Sequence, residues 1–122
     1  MPKISVAMAV FNGERYIEDQ IDSLINQTLK PDEIVVCNDA STDNTLNILK
    51  KIKKEKFSNI NILNNIKNLN YHLSFEKALS HCNGEIIFIS DSDDVWFLNK
   101  IKTIVKLFEE NKDILMIIND CL

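Results

Sequence analysis

Three carboxylates fall within four positions of the stretch FISDSDDVWF, residues 88–97. Asp91, Asp93 and Asp94 follow directly on the apolar run Ile86-Ile87-Phe88-Ile89. Carboxylates crowded together repel one another, which raises their pKa values and costs stability unless a cation or water relieves it. A hard divalent ion is the simplest relief. Two Asp separated by one residue at a strand end can present oxygens to Mg²⁺ or Mn²⁺ while leaving positions for water and substrate phosphates. A polar turn that caps the next helix, starting near Phe97, would use Asp and Ser too, so on spacing alone both readings stand.

Neighbouring chemistries make further demands on the sequence. An EF-hand loop needs a Gly after its alternating acids and a Glu further on, and DSDDVWFLNK has neither. Gly13 and Gly84 are the only glycines, so the chain holds neither GxGxxG nor a P-loop, and any phosphate must be held by metal and side chains. Asp91-Ser92-Asp93-Asp94-Val95 fits the DxDx[TV] pattern of the haloacid-dehalogenase-like phosphatases, in which the first Asp is the nucleophile. That motif normally follows a first strand and needs a downstream Lys and acidic pair, whereas only a short tail follows here. Cys37, Cys82 and Cys121 are far apart and lack CxxC spacing, which reads as reduced, mostly buried thiols rather than nucleophiles.

The elements that must position these acids can be read from hydrophobic periodicity. Ile4 to Phe11 is a continuous apolar run suited to a strand buried on both faces, ended by the turn Asn12-Gly13. Ile17, Ile21, Leu24, Ile25 and Thr28 predict an amphipathic helix that stops before Pro31. Glu33 to Asn38 is a second strand. Ser41 or Thr42 caps a helix with Leu46, Ile48, Leu49 and Ile52 inward, and the Lys cluster of 50–56 is its solvated face. Asn59 to Leu63 is a weaker third strand. An Asn-rich loop leads to a helix with Phe75, Ala78, Leu79 and Cys82 on one side, ended by Asn83-Gly84 as a C-cap. Glu85 to Ser90 is a fourth strand, Ile101, Ile104, Val105 and Phe108 mark a helix, and Ile114 to Ile118 is read as a fifth strand.

This alternation predicts an α/β fold, a mainly parallel sheet with helices on both faces, in one domain spanning residues 1–122. Ligands of such sheets sit at the carboxyl ends of the strands. Asn12, Asp39 and the acids at 91–94 should therefore line one edge. With 45% apolar and 26% charged residues and a net charge of -4, the chain reads as a folded globular domain without the basic excess of a nucleic-acid binder. The N-terminal apolar run is too short and wrongly flanked for a signal peptide or membrane helix, which points to a cytoplasmic protein.

Read together, ISVAMAVFNGERYIEDQIDSLINQTLKPDEIVVCNDASTDNT and SFEKALSHCNGEIIFISDSDDVW resemble the inverting nucleotide-sugar glycosyltransferases of family 2, of GT-A fold. The resemblance lies in the order of four motifs: a strand ending in a YN-like pair, an NQT helix, a strand ending in an acid before STDNT, and a G-E-hydrophobic strand ending in DxDD. It implies a Rossmann-like nucleotide-binding half in which Ala9, Val10, Phe11 and Asn12 line the nucleotide pocket, with Phe11 against the base. Asp39 matches the acid that accepts from the imino N–H of uracil or thymine, while Asn38 stands where the family often has another Asp. Asp93 matches the ligand of Mn²⁺ or Mg²⁺, and Asp91 supports the ribose or the metal's water. Asp43 is read as helix-capping, and Trp96 as packing under the acidic loop.

The resemblance further implies a UDP- or dTDP-sugar donor and a glycan or lipid-linked acceptor. The work would be transfer for cell-surface polysaccharide, at the inner face of the membrane. The family's general base lies well beyond its DxD, so the chain reads as a donor half truncated before the acceptor part, with the base expected beyond Leu122. Apolar surface uncovered there predicts self-association. The alternative is a non-catalytic nucleotide-binding or interaction module of the same fold.

Overall fold

The computed structural model describes residues 1–91 and 95–117. Eight elements alternate: β1 (Ile4–Val10), α1 (Ile17–Ile25), β2 (Glu33–Asn38), α2 (Thr45–Glu55), β3 (Ile60–Asn64), α3 (Tyr71–Ser80), β4 (Ile86–Asp91) and α4 (Lys100–Glu110). The strands form one parallel sheet in the order β3-β2-β1-β4. β1 and β2 are buried throughout, which is why they read as continuous apolar runs rather than alternating ones.

The strand order explains which helix lies where. From β1 to β3 the chain steps in one direction across the sheet, and right-handed crossovers put α1 and α2 on one face. The next step returns from β3 past β1 to β4, so α3 lands on the opposite face. Side-chain size follows. Ile4, Val6, Met8 and Val10 of β1 pack with Ile21 and Leu24 of α1, Leu49 and Ile52 of α2, and Ile101 and Val105 of α4. On the α3 side the sheet offers smaller groups, Ala7, Val35 and Cys37, against Ala78.

Buried polar groups fix the helix ends. Gln27, just past α1, donates through Nε2 to the Phe97 carbonyl at 2.6 Å and to the Ser23 carbonyl at 3.0 Å. Its Oε1 accepts from the Ile101 N–H at 3.0 Å. The Thr28 N–H donates to the Leu98 carbonyl at 2.9 Å, so Thr28 serves as an anchor for the start of α4 and not as a residue of α1. The physical content of the NQT motif is thus the docking of the β4–α4 connection on α1.

Three local expectations are corrected. α2 begins at Thr45, and neither Ser41 nor Thr42 caps it. The N-cap position is Asn44, without a side-chain cap bond, and Asp43 before it satisfies the first helical N–H, its Oδ1 accepting from the Thr45 N–H at 3.0 Å and from the Thr45 hydroxyl. α3 ends at Ser80 with His81 as its C-cap, and Gly84 has no positive φ. Glycine is needed at 84 for close approach to β1, where its N–H donates to Ser5 Oγ at 2.7 Å. The apolar run from Ile114 forms no strand over residues 114–117, with residue 118 outside the described residues. Leu115 and Met116 are exposed and meet no sheet edge among the described residues, so their composition finds no ladder to join.

A Cβ at position 84 would lie 2.5 Å from Ser5 Oγ, 2.7 Å from the Ser5 nitrogen and 2.9 Å from the Lys3 carbonyl. Backbone of a central strand cannot yield cheaply, so Gly84→Ala is expected to lower unfolding free energy by about 2 kcal/mol, measured by urea denaturation.

Candidate functional site

In a doubly wound sheet the ligand crevice opens where the strand order reverses, here between the carboxyl ends of β1 and β4. A cavity of about 450 Å³ lies there. Strand register sets its floor: Ala9 pairs with Cys37 on one side and Asp91 on the other, placing Ala9 and Asp91 in one row on the α3 face. Alanine in the central strand leaves the row open, and Val10 and Phe11 extend the floor beyond it. Phe11 is 48% exposed, a large apolar ring left facing the cavity.

Asp39, directly after β2, forms one wall and is only 4% exposed. Its Oδ1 accepts from the Leu69 N–H at 2.7 Å and from Asn65 Nδ2 at 2.9 Å, and its Oδ2 accepts from the Asn70 N–H at 3.0 Å. Burial would raise its pKa, but the hydrogen bonds from Leu69, Asn65, Asn70 and Ser74 outweigh burial and hold it below the ordinary value. Asp39 is therefore a charged carboxylate that also organises the loop in front of α3.

Asp91 closes β4 on the far side of the cavity, exposed, with Oδ1 accepting from the Tyr71 hydroxyl at 3.0 Å. Ala9, Val10, Phe11, Asp39 and Asp91 are thus brought together around one cavity. Asn12 is not among its lining residues. Its φ is 51°, its Oδ1 accepts from the Thr42 N–H at 2.8 Å, and its own N–H donates to Ser41 Oγ at 2.9 Å. Asn12 therefore ties the loop after β1 to the loop after β2. Asn38, buried beneath, donates to Asn64 Oδ1 at 3.1 Å and accepts from Ser41 Oγ.

Asp93 and Asp94 lie outside the described residues. Among the described residues no cluster of three or more His, Cys, Asp or Glu side chains could hold a metal ion. The donor chemistry at this edge nevertheless suits a hard divalent cation, because Asp91 offers carboxylate oxygen at the cavity with no thiol or imidazole lining it. Trp96 is 5% exposed and packs against Phe88 with ring centroids 5.7 Å apart. Lys100 Nζ sits 4.1 Å from its centroid, so the ring supports the connection after β4.

Neither described cysteine suits nucleophilic work. Burial pushes the Cys37 thiol up, and burial together with nearby Glu33 pushes Cys82 up to about 11. Cys121 lies outside the described residues. Sequence reasoning missed Tyr16, Asn68, Asn70, Tyr71 and Ser74, which complete the cavity wall. Four of the five come from the Asn-rich loop and first turn of α3, where polar composition signals a loop without saying which strand end it folds over. No helix among the described residues is long and apolar enough to cross a membrane.

Comparison with known proteins agrees with this geometry. The family model described as "Glycosyl transferase family 2" matches residues 5–120. The dTDP-rhamnosyl transferase RfbG of Shigella flexneri is 38% identical over 104 residues, covering 80% of this chain and 35% of that protein. The crystal structure of S. aureus TarS in complex with UDP superposes with a TM-score of 0.82 at 30% identity, covering 90% of this chain and 33% of that one. A mannosyltransferase from Pyrobaculum calidifontis, in complex with GDP-Man and Mn²⁺, superposes with a TM-score of 0.80 at 25% identity over 88% of this chain and 32% of its own. The chain spans 40%, 35% and 35% of the length of three of the curated relatives it matches.

The state of Asp39 gives a pH test. A folded-state pKa below the ordinary 3.8 means the carboxylate's stabilisation is fully present above that value and is lost as pH falls through the lower folded value. Asp39→Asn is expected to cost about 1–3 kcal/mol at neutral pH. In urea melts, the gap between wild type and variant should shrink below about pH 4, since the ordinary carboxylate range ends there.

Proposed function

The chain belongs to glycosyl transferase family 2, and from that premise we propose that it is the donor-binding part of an enzyme that transfers a sugar from a UDP- or dTDP-sugar to a glycan or lipid-linked acceptor. Cell-surface polysaccharide synthesis on the cytoplasmic side of the membrane is the setting that fits such acceptors. The observation that carries the reading is the cavity at the β1–β4 switch point, with a buried, charged Asp39 at one wall and Asp91 at the other.

In this reading Phe11 covers one face of the base with its exposed ring. Asp39, kept ionised, accepts the imino N–H of uracil or thymine; a carboxylate rejects cytosine, which presents a ring acceptor at that position. Asp91 accepts from the ribose hydroxyls. Asp93, with Asp91 beside it, would hold Mn²⁺ or Mg²⁺. When bound, the ion supplies Lewis-acid stabilisation of the diphosphate leaving group. The walls contributed by α3 hold the nucleoside against the strand ends, so binding orients the sugar-bearing end past β4. The phosphatase reading of DxDxV has less support, because the motif follows β4, at the edge of the sheet, and the family match spans nearly the whole chain.

Titration of the chain with UDP and dTDP, with and without Mn²⁺, tests the proposal. Metal-dependent binding is expected, reduced at least tenfold by Asp93→Ala, which corresponds to about 1.4 kcal/mol. Equal binding with and without metal, or an unaffected Asp93→Ala variant, would overturn it.

A further inference from the structure

The two acids that face each other across the cavity are held by consecutive residues. The Asn70 N–H donates to Asp39 Oδ2 at 3.0 Å, and the hydroxyl of the next residue, Tyr71, donates to Asp91 Oδ1 at 3.0 Å. Asp39 follows β2 and Asp91 ends β4, with β1 lying between them in the sheet. Their link therefore runs over the top of β1 through the first turn of α3.

The backbone at this link is unusual. Asn70 adopts φ 75° and ψ 173°, a region that is essentially reserved for glycine and costs about 1–3 kcal/mol for other residues. Its side chain offsets part of that cost by accepting from the His72 N–H at 3.1 Å and the Leu73 N–H at 3.5 Å, capping α3. The sharp turn at Asn70 directs Tyr71 across the cavity, where its ring meets Phe75 edge-on with centroids 4.8 Å apart. The ring is thus supported from its own helix while the hydroxyl donates to Asp91.

We propose that Tyr71 is a positioning residue, fixing the Asp91 carboxylate at a set separation from Asp39 so that one nucleoside diphosphate meets both acids at once. The assignment deepens the donor-binding reading and rests on it. An exposed aspartate at a strand end otherwise samples several rotamers, and a ligand must then bear the cost of ordering it. A hydroxyl donor on Oδ1 removes that cost while leaving the rest of the carboxylate to the ligand.

The test is a double-mutant cycle on UDP binding in the presence of Mn²⁺, using wild type, Tyr71→Phe, Asp91→Ala and the pair. Phe keeps the ring against Phe75 and removes only the hydroxyl. Tyr71→Phe is expected to weaken UDP binding about tenfold with an unchanged melting temperature, since a hydrogen bond to a charged group is being lost. In the Asp91→Ala background the same change should have no further effect. An unaffected Tyr71→Phe variant, or an equal loss in both backgrounds, would overturn the positioning role while leaving donor binding intact. Failure of the wild-type chain to bind either UDP or dTDP would overturn the donor reading and this inference with it.

Discussion

A buried carboxylate stays charged only if polar hydrogen atoms are brought to it, and at Asp39 two of them come from backbone. The N–H groups of Leu69 and Asn70 can reach Asp39 only if the chain leaving β3 folds back over the end of β2. That requirement shapes the Asn-rich loop, places the strained turn at Asn70, and sets where α3 begins. Asn65 adds a side-chain bond from the same loop, and its carbonyl oxygen in turn accepts from Lys77 on α3. One charge at a strand end thus orders a loop, a helix start and a cavity wall.

The other face of the sheet holds the β4–α4 connection by different means. Gln27 spends its amide on Ser23, Phe97 and Ile101, and Ser23 Oγ accepts from the Trp96 N–H at 3.1 Å. These bonds tie the chain just after the acidic stretch to α1, whose own Gln20 reaches Ser90 just before it. The arrangement is not free of cost. Gln20 Oε1 and Trp96 Nε1 are buried with no hydrogen-bond partner among the described residues, where an unmet group costs about 1–3 kcal/mol. Both lie beside the ends of the acidic stretch, next to the acids proposed to hold the donor.

Much of this was legible in the sequence because strand burial and helix period are written in side-chain polarity. β1 and β2 announced themselves as apolar runs, and Asp39 and Asp91 could be assigned to one sheet edge from their places after strands. What could not be read depended on contacts between distant residues. Ser41 looked like a helix cap, yet it bonds Asn12 and Asn38. Gly84 looked like a C-cap, yet its role is proximity to Ser5. Tyr71 carried no signal of its own beside the Asn-rich loop, and only the fold shows that its hydroxyl reaches Asp91 at the end of β4. The run from Ile114 to Ile118 has strand composition, yet over residues 114–117 it joins no strand among the described residues, and composition alone cannot supply one.

Backbone strain marks the same edge as the charges do. Among the described residues the non-glycine positions with positive φ are Asn12, Ala40 and Asn70, and they follow β1, follow β2 and precede α3. Each is held by bonds that would be lost if it relaxed: Asn12 by Thr42, Ala40 by the Asn38 carbonyl, and Asn70 by its own cap and by Asp39. Such backbone costs about 1 kcal/mol or more for a residue with a Cβ and persists only where surrounding bonds hold it. Asn12 follows Phe11, Ala40 follows Asp39 and Asn70 precedes Tyr71, so each sharp bend adjoins a residue that lines the cavity.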